Sequence, residues 1–240
     1  MKHRPLPATL LLAAALLGSG YKEVPPPPKV VLPAPLSPAA SLAAIQVPAD
    51  LEVELVAAEP AVLDPVDLAW GPDGRLWVVE MADYPQGMDG KGKPGGRVRV
   101  LESTRGDGRY DKSTLFADGL RSPTTAVPWR DGVLVVAVPH ILYLADTDGD
   151  GRADRHEVVL TGFGTQDSHL FPHQFLRQPG GWVFVAQGLF NNSKVRRPDG
   201  RPFADGATEV PFLQCKLARF QPDGSAFENL TAGPNNIWGL

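Results

Sequence analysis

Between residues 146 and 157 the chain reads Asp146-x-Asp148-x-Asp150-Gly151-x-x-Asp154-x-x-Glu157, the twelve-position spacing of a calcium-binding loop. Side-chain oxygens fall at positions 1, 3, 5, 9 and 12, and glycine at position 6 permits the sharp turn. Calcium takes six to eight hard oxygens, which these five carboxylates and the main-chain carbonyl of Arg152 can supply. The flanks VLVVAVPHILYL and EVVLTGF are β-like, so the loop is expected between strands and not between helices. A solvated Asp-Gly turn is the simpler alternative.

A second group lies in GTQDSHLFPHQF, residues 164–175, which gathers Asp167, His169, His173 and Gln174. Histidine is the side chain suited to moving protons near neutral pH. Two histidines four apart can also hold a metal, but Pro172 between them opposes the helix that would put both on one face. Packing histidines are the alternative reading. His140 and His156 flank strand edges and read as surface or packing residues, and His3 belongs to the N-terminal leader.

Composition narrows the chemistry. The chain has 240 residues with 23 basic and 27 acidic side chains, so no basic face is expected and nucleic-acid binding loses its electrostatic warrant. The single cysteine, Cys215, excludes an intrachain disulfide, a thiolate zinc cluster and a Cys-x-x-Cys-His haem site within these residues. Cys215 sits in the β-like run FLQCKLARF and reads as a buried packing residue.

Lys2, His3 and Arg4 precede an apolar run from Ala8 to Leu17 that gives way to Gly18, Ser19 and Gly20, the pattern of a secretory signal over residues 1–20. The run is shorter than the ~20 residues that a spanning helix needs, so no transmembrane domain is expected after cleavage. Tyr21 stands where a lipoprotein would carry cysteine. The chain is expected to be exported, periplasmic or at the cell surface. Residues 21–44 form a proline-rich linker, with seven prolines from Pro25 to Pro38 favouring extended polyproline II.

From residue 45 onward the elements that must position these groups are short strands. LAWGPDGRLWVVE (68–80), AVPWRDGVLVVAVP (126–139) and FLRQPGGWVFVAQG (175–188) each read as a β-hairpin. Residues 98–120 also overlay residues 143–163 at an offset of 43, matching Leu101 with Leu144, Gly106–Arg109 with Gly149–Arg152, Asp111 with Asp154 and Gly119 with Gly162. A period near 43 with about four strands per unit is that of one β-propeller blade. The first two hairpins lie 58 apart, and the excess falls in MADYPQGMDGKGKPGG, an expected insertion loop. The sequence therefore predicts an all-β, partial propeller over 45–240, with blades near 50–115, 116–165 and 166–230 and the start of a fourth. Closed propellers need at least about four blades, so a segment of a longer protein is expected.

The stretch from Leu51 to Leu240, about 80% of the chain, resembles the N-terminal propeller of a membrane-bound dehydrogenase family, also described as PVC-type haem-binding CxxCH proteins and distantly related to quinoprotein glucose and sorbosone dehydrogenases. The resemblance is carried by LAWGPDGRLWVVEMADYP, GGRVRVLE, GDGRYDKSTLFADGL, PWRDGVLVVAVPHILYLADTDGDGRADRHEVVLTGF and the histidine segment before GGWVFVAQG. It implies a six-bladed propeller that oxidises a sugar or alcohol hydroxyl, passing a hydride to pyrroloquinoline quinone while a histidine takes the proton. His169 is the closest match to that base and His173 the second. Asn235 and Asn236 fall where the relatives hold the quinone with an Arg-Asn pair, Asn235 replacing the arginine. The resemblance further implies calcium, a cytochrome electron acceptor and a haem c domain beyond the propeller. A non-catalytic cell-surface propeller that binds carbohydrate or a protein partner is the reading from a different class.

Overall fold

The computed structural model describes residues 33–233 and Ile237. The expected signal segment, residues 1–20, and Asn235 and Asn236, the residues expected at a quinone site, lie outside the described residues. The chain divides into two units at Ser37/Pro38. The second opens with helix α1, Pro38–Ala44, where the sequence predicts linker. Pro38 has its ring-fixed φ in the first turn, where its missing N–H costs nothing, and the alanines that follow are strong helix formers.

Strands β1 (Pro65–Trp70), β2 (Leu76–Glu80), β3 (Gly96–Glu102) and β4 (Lys112–Leu120) form one antiparallel sheet in chain order. β5 (Pro123–Trp129), β6 (Gly132–Ala137), β7 (His140–Ala145) and β8 (Arg155–Thr161) form the second in the same way. The third contains β9 (His173–Arg177), β10 (Val183–Gln187), β13 (Lys216–Phe220) and β14 (Phe227–Ala232). Between β10 and β13 the chain leaves this sheet to form a two-stranded ribbon, β11 (Asn192–Val195) with β12 (Val210–Leu213). The protein is all-β, built of four antiparallel sheets.

The three expected hairpins are β1–β2, β5–β6 and β9–β10. Trp129 pairs Gly132 in the second. A Cβ on Gly132 would stand 2.0 Å from the Leu144 carbonyl, so only glycine lets β7 approach at that point. Two expected boundaries move. The break placed at 115/116 falls inside β4, which stays paired to β3 as far as Gly96↔Leu120, with bulges absorbing the twist. The single run FLQCKLARF divides at Gln214 and Cys215, because Gln214 takes a left-handed φ of 58°. Its halves then join different sheets, and Cys215 is buried as expected.

β6 shows why its sequence is continuously apolar. All six of its residues are buried, and they alternate between two cores. Val133, Val135 and Ala137 pack with Trp77, Val79, Val98 and Phe116 of the first sheet. Leu134 and Val136 join Val183, Val185, Phe220 and Phe227 of the third. The second sheet is therefore sandwiched face to face between its neighbours. The first strands β1, β5 and β9 lie side by side where the three sheets meet.

Candidate functional site

Residues 164–172 cross this junction as a loop carrying one turn of 3-10 helix, Ser168–Leu170. Asp167 caps it: its Oδ1 accepts from the backbone N–H of His169 at 3.0 Å and lies 3.0 Å from His169 Nδ1. One carboxylate oxygen thus fixes both the turn and the ring. With the proton on Nδ1, Nε2 of His169 is the acceptor. The ring is 73% exposed and stands edge-on to Tyr84 with centroids 5.9 Å apart. Both line an open cleft of about 850 Å³, together with Met81, Thr124, Phe171 and Phe190.

The loop is held from beneath by a buried amide network. Asn191 accepts from the N–H groups of Gln166 and Asp167 at 3.0 and 3.1 Å, and donates to the carbonyls of Asp167 and Leu170 at 2.9 and 2.8 Å. Gln187 donates to the carbonyls of Asn191 and Phe212, both at 2.9 Å, and accepts from Ser193. Ser193 in turn accepts from Gly164 N–H at 2.8 Å. All three side chains are fully buried. The sequence marks Asn191 only as the start of an Asn-x-Ser triplet; its role depends on a loop some twenty residues upstream.

His173 also lines the cleft, but it is 3% exposed and both ring nitrogens face main-chain carbonyls. Nδ1 lies 2.7 Å from Phe171 O, and Nε2 lies 2.6 Å from Ile237 O. Neither is left to accept a substrate proton. Gln174, beside it, takes a left-handed φ of 59°, which bulges β9 and sends its neighbours to different sides.

Asp67, which sequence reasoning did not single out, joins the three first strands. Its Oδ2 accepts from Thr125 Oγ1 at 2.5 Å and from Ala126 N–H at 3.2 Å. The same hydroxyl accepts from Phe175 N–H at 2.9 Å. Burial pushes the Asp67 carboxyl up from its ordinary range, against the Thr125 hydroxyl, the Ala126 and Leu68 amides and His173, which pull it down. The one available signal was a carboxylate inside an otherwise apolar strand, in PVDLAW. His140 lies elsewhere, on β7, where burial and Arg196 hold it below the usual imidazole range.

The acidic loop lies between β7 and β8, as expected. The carboxylates of Asp146, Asp148 and Asp150 gather within 4.8 Å of one another. Asp146 already accepts from Gly149 and Gly151 N–H at 2.7 and 2.8 Å, and these amides hold its carboxyl low. Asp154 grips Thr147 through the backbone N–H at 2.8 Å and the hydroxyl at 2.5 Å. Asp111 does the same to Thr104 in the other repeat, at 2.8 and 2.8 Å. The recurrence of this aspartate at an offset of 43 is therefore accounted for by a loop clasp. Glu157 lies on β8 and pairs with Arg155 at 2.7 Å, while Arg152 donates its N–H to Asp150. Of the five carboxylates in the pattern, three converge; they suit a hard cation, and the other two are engaged elsewhere.

Among the described residues the wall of the cleft contributes Asp64 and Asp167 and no lysine or arginine. Pyrroloquinoline quinone carries three carboxylates, so this part of the cleft does not fit it. Its apolar, aromatic and hydroxyl lining suits an uncharged hydroxylated molecule.

Residues 37–240 match a domain family of unknown function, DUF7133, and the chain belongs to that family. Comparison with curated proteins finds no match. No helix among the described residues is long and apolar enough to cross a membrane.

Proposed function

We propose that this chain is the propeller portion of an exported dehydrogenase-like protein that acts on a hydroxyl group of a sugar or alcohol. The observation that carries the reading is the Asp167–His169 pair, oriented by a shared carboxylate oxygen and open to a cleft at the junction of three sheets. In this reading His169 Nε2 takes the hydroxyl proton as the carbon gives up its hydride, and Asp167 stabilises the imidazolium that forms. The oxidation would need a hydride acceptor held beyond the described wall of the cleft, and a cytochrome would take the electrons from it. His173 holds the strand behind the cleft. The Asp146, Asp148 and Asp150 cluster is proposed to bind calcium as a stabilising ion.

The propeller reading is supported by three four-stranded meanders stacked face to face with their first strands adjacent. It is supported too by an alternating apolar stripe on β1, where Val66, Leu68 and Trp70 stay 49%, 49% and 58% exposed, a face suited to a further sheet. Dye reduction by the whole protein with sugars and alcohols, with and without added quinone and calcium, tests the activity. His169→Ala is expected to lower turnover by at least about a hundredfold. The absence of lysine and arginine from the described wall of the cleft favours a second reading, in which the propeller recognises carbohydrate without turning it over. Absence of turnover in the wild type, with sugar binding undiminished in His169→Ala, would decide for that reading.

A further inference from the structure

Phe190 lines the cleft and is 65% exposed. Its backbone takes a left-handed φ of 70°, a conformation that strains a bulky residue and that glycine adopts freely. Its ring meets no other aromatic ring among the described residues. Neither packing nor backbone preference therefore accounts for a phenylalanine at this position, and a strained residue held in place by its surroundings is a mark of a binding site.

The surroundings hold it from both flanks. Residues 188–191 form the turn between β10 and β11. Gly188 N–H donates to Leu170 O at 3.3 Å, and a Cβ on Gly188 would stand 2.5 Å from that of Leu170, so the turn is seated directly against the loop that carries His169. On the other flank the Asn191 side chain binds that same loop, while the Asn191 carbonyl accepts from Gln214 N–H and from Gln187 Nε2, both at 2.9 Å. The exposed phenyl ring and His169 are thus carried by one buried network, which fixes the separation of their attachment points. Tyr84 reaches the cleft from the first sheet, on the 81–95 loop that Asp83 anchors by accepting from Ser122 N–H at 2.8 Å. Tyr84 is 45% exposed, and its hydroxyl has no hydrogen-bond partner among the described residues.

A pyranose ring with equatorial hydroxyls carries axial C–H groups on its faces and hydroxyls around its rim. Polarised C–H groups are drawn to the electron-rich face of an aromatic ring. The rim hydroxyls need acceptors and donors, which Tyr84, Ser168 and the carboxylates of Asp64 and Asp167 bring to the same cleft. We propose that Phe190 is the platform on which the pyranose ring of a neutral saccharide stacks, and that it selects ring sugars over open-chain polyols and other alcohols. The inference rests on the reading of the cleft as a sugar site, with or without turnover. A ring seated on Phe190 is held at a set distance from His169, which is what a proton acceptor for one particular hydroxyl requires.

Calorimetric titration of the whole protein with cellobiose, with sorbitol and with benzyl alcohol tests the inference. Cellobiose is expected to bind at least about tenfold more tightly than sorbitol, which has similar hydroxyls but no ring face. Phe190→Ala is expected to weaken cellobiose by about tenfold, and Phe190→Trp to keep it within about threefold of wild type. Phe190→Gly relieves the left-handed strain, so it is expected to lose cellobiose affinity while melting no lower than wild type. Equal affinity for cellobiose and sorbitol, a loss below about threefold in Phe190→Ala, or absence of saturable cellobiose binding would overturn the proposal. So would a Phe190→Gly variant melting more than about 5 °C below wild type, which would make the ring a packing residue, and so would benzyl alcohol binding more tightly than cellobiose. Cellobiose binding that depends on Phe190, without dye reduction by any saccharide, would keep the platform and remove the dehydrogenase reading.

Discussion

Replacing Thr125 by valine removes one hydroxyl and almost no volume, which isolates the link between the three first strands. Thr125 is fully buried. Its hydroxyl donates to Asp67 and accepts from Phe175 N–H. Loss of a hydrogen bond to a charged acceptor costs about 1.5–3 kcal/mol, and a stranded buried N–H about 1–3. The added methyl returns roughly 0.8. The net expectation is about 2–5 kcal/mol, or roughly 4–20 °C in Tm for a domain of this size. Differential scanning calorimetry of the purified variant at pH 7 reads it directly. Thr125→Ser, which keeps the hydroxyl, serves as control and is expected to lose much less. A valine variant melting within about 2 °C of wild type would refute the reasoning and show that water can take the place of the hydroxyl.

Three further outcomes follow from the same contacts. Asp67 has its folded pKa raised by burial, so the stability tied to its neutral form is complete below the ordinary carboxylate pKa and is lost as pH rises through the raised value. Asp67→Asn does not titrate, and its stability relative to wild type should improve between pH 4 and pH 7 in chemical denaturation; a constant difference would contradict this sign. Asn191→Leu removes four hydrogen bonds to the His169 loop and is expected to cost about 2–4 kcal/mol and speed amide exchange over residues 166–170, whereas unchanged exchange would mean that packing alone holds the loop. Asp148→Ala should lower Tm in calcium and change little in chelator, because an ion bound only by the folded state stabilises it by mass action; equal shifts in both buffers would defeat the calcium proposal.

The strand pairs were legible because turn chemistry and β-branched runs are local. Pro-Asp-Gly at 72–74 and Asp-Gly at 131–132 closed the expected hairpins, and the uninterrupted apolar run of β6 finds its reason in a strand buried on both faces. The register of longer strands was less legible. β4 continues past Leu115 only because β3 offers it partners as far as Gly96, and the 43-residue overlay cannot supply that information. The twelve-position acidic pattern encoded spacing but not commitment: Asp154 looks like a ligand until it is found holding the threonine seven residues earlier, as Asp111 does in the other repeat. Asn191, Thr125 and Asp83 were illegible for one shared reason. Each acts across sheets, on a partner between 24 and 58 residues away, and no periodicity reports such a distance.

These three residues also explain why chemistry would gather where it does. The first strands β1, β5 and β9 pack side by side, and at their junction Asp67 and Thr125 satisfy each other and the Ala126 and Phe175 amides. Asn191 fixes the backbone of the 164–172 loop, and Asp167 orients His169 beside the cleft. A buried polar network that is fully satisfied is rigid, and rigidity is what the proposed proton acceptor, carried on a loop, otherwise lacks. Asp83 departs from this pattern on the adjoining wall, a buried oxygen left without a donor. Within one junction, then, it is the satisfied groups that hold the loop and strands in place.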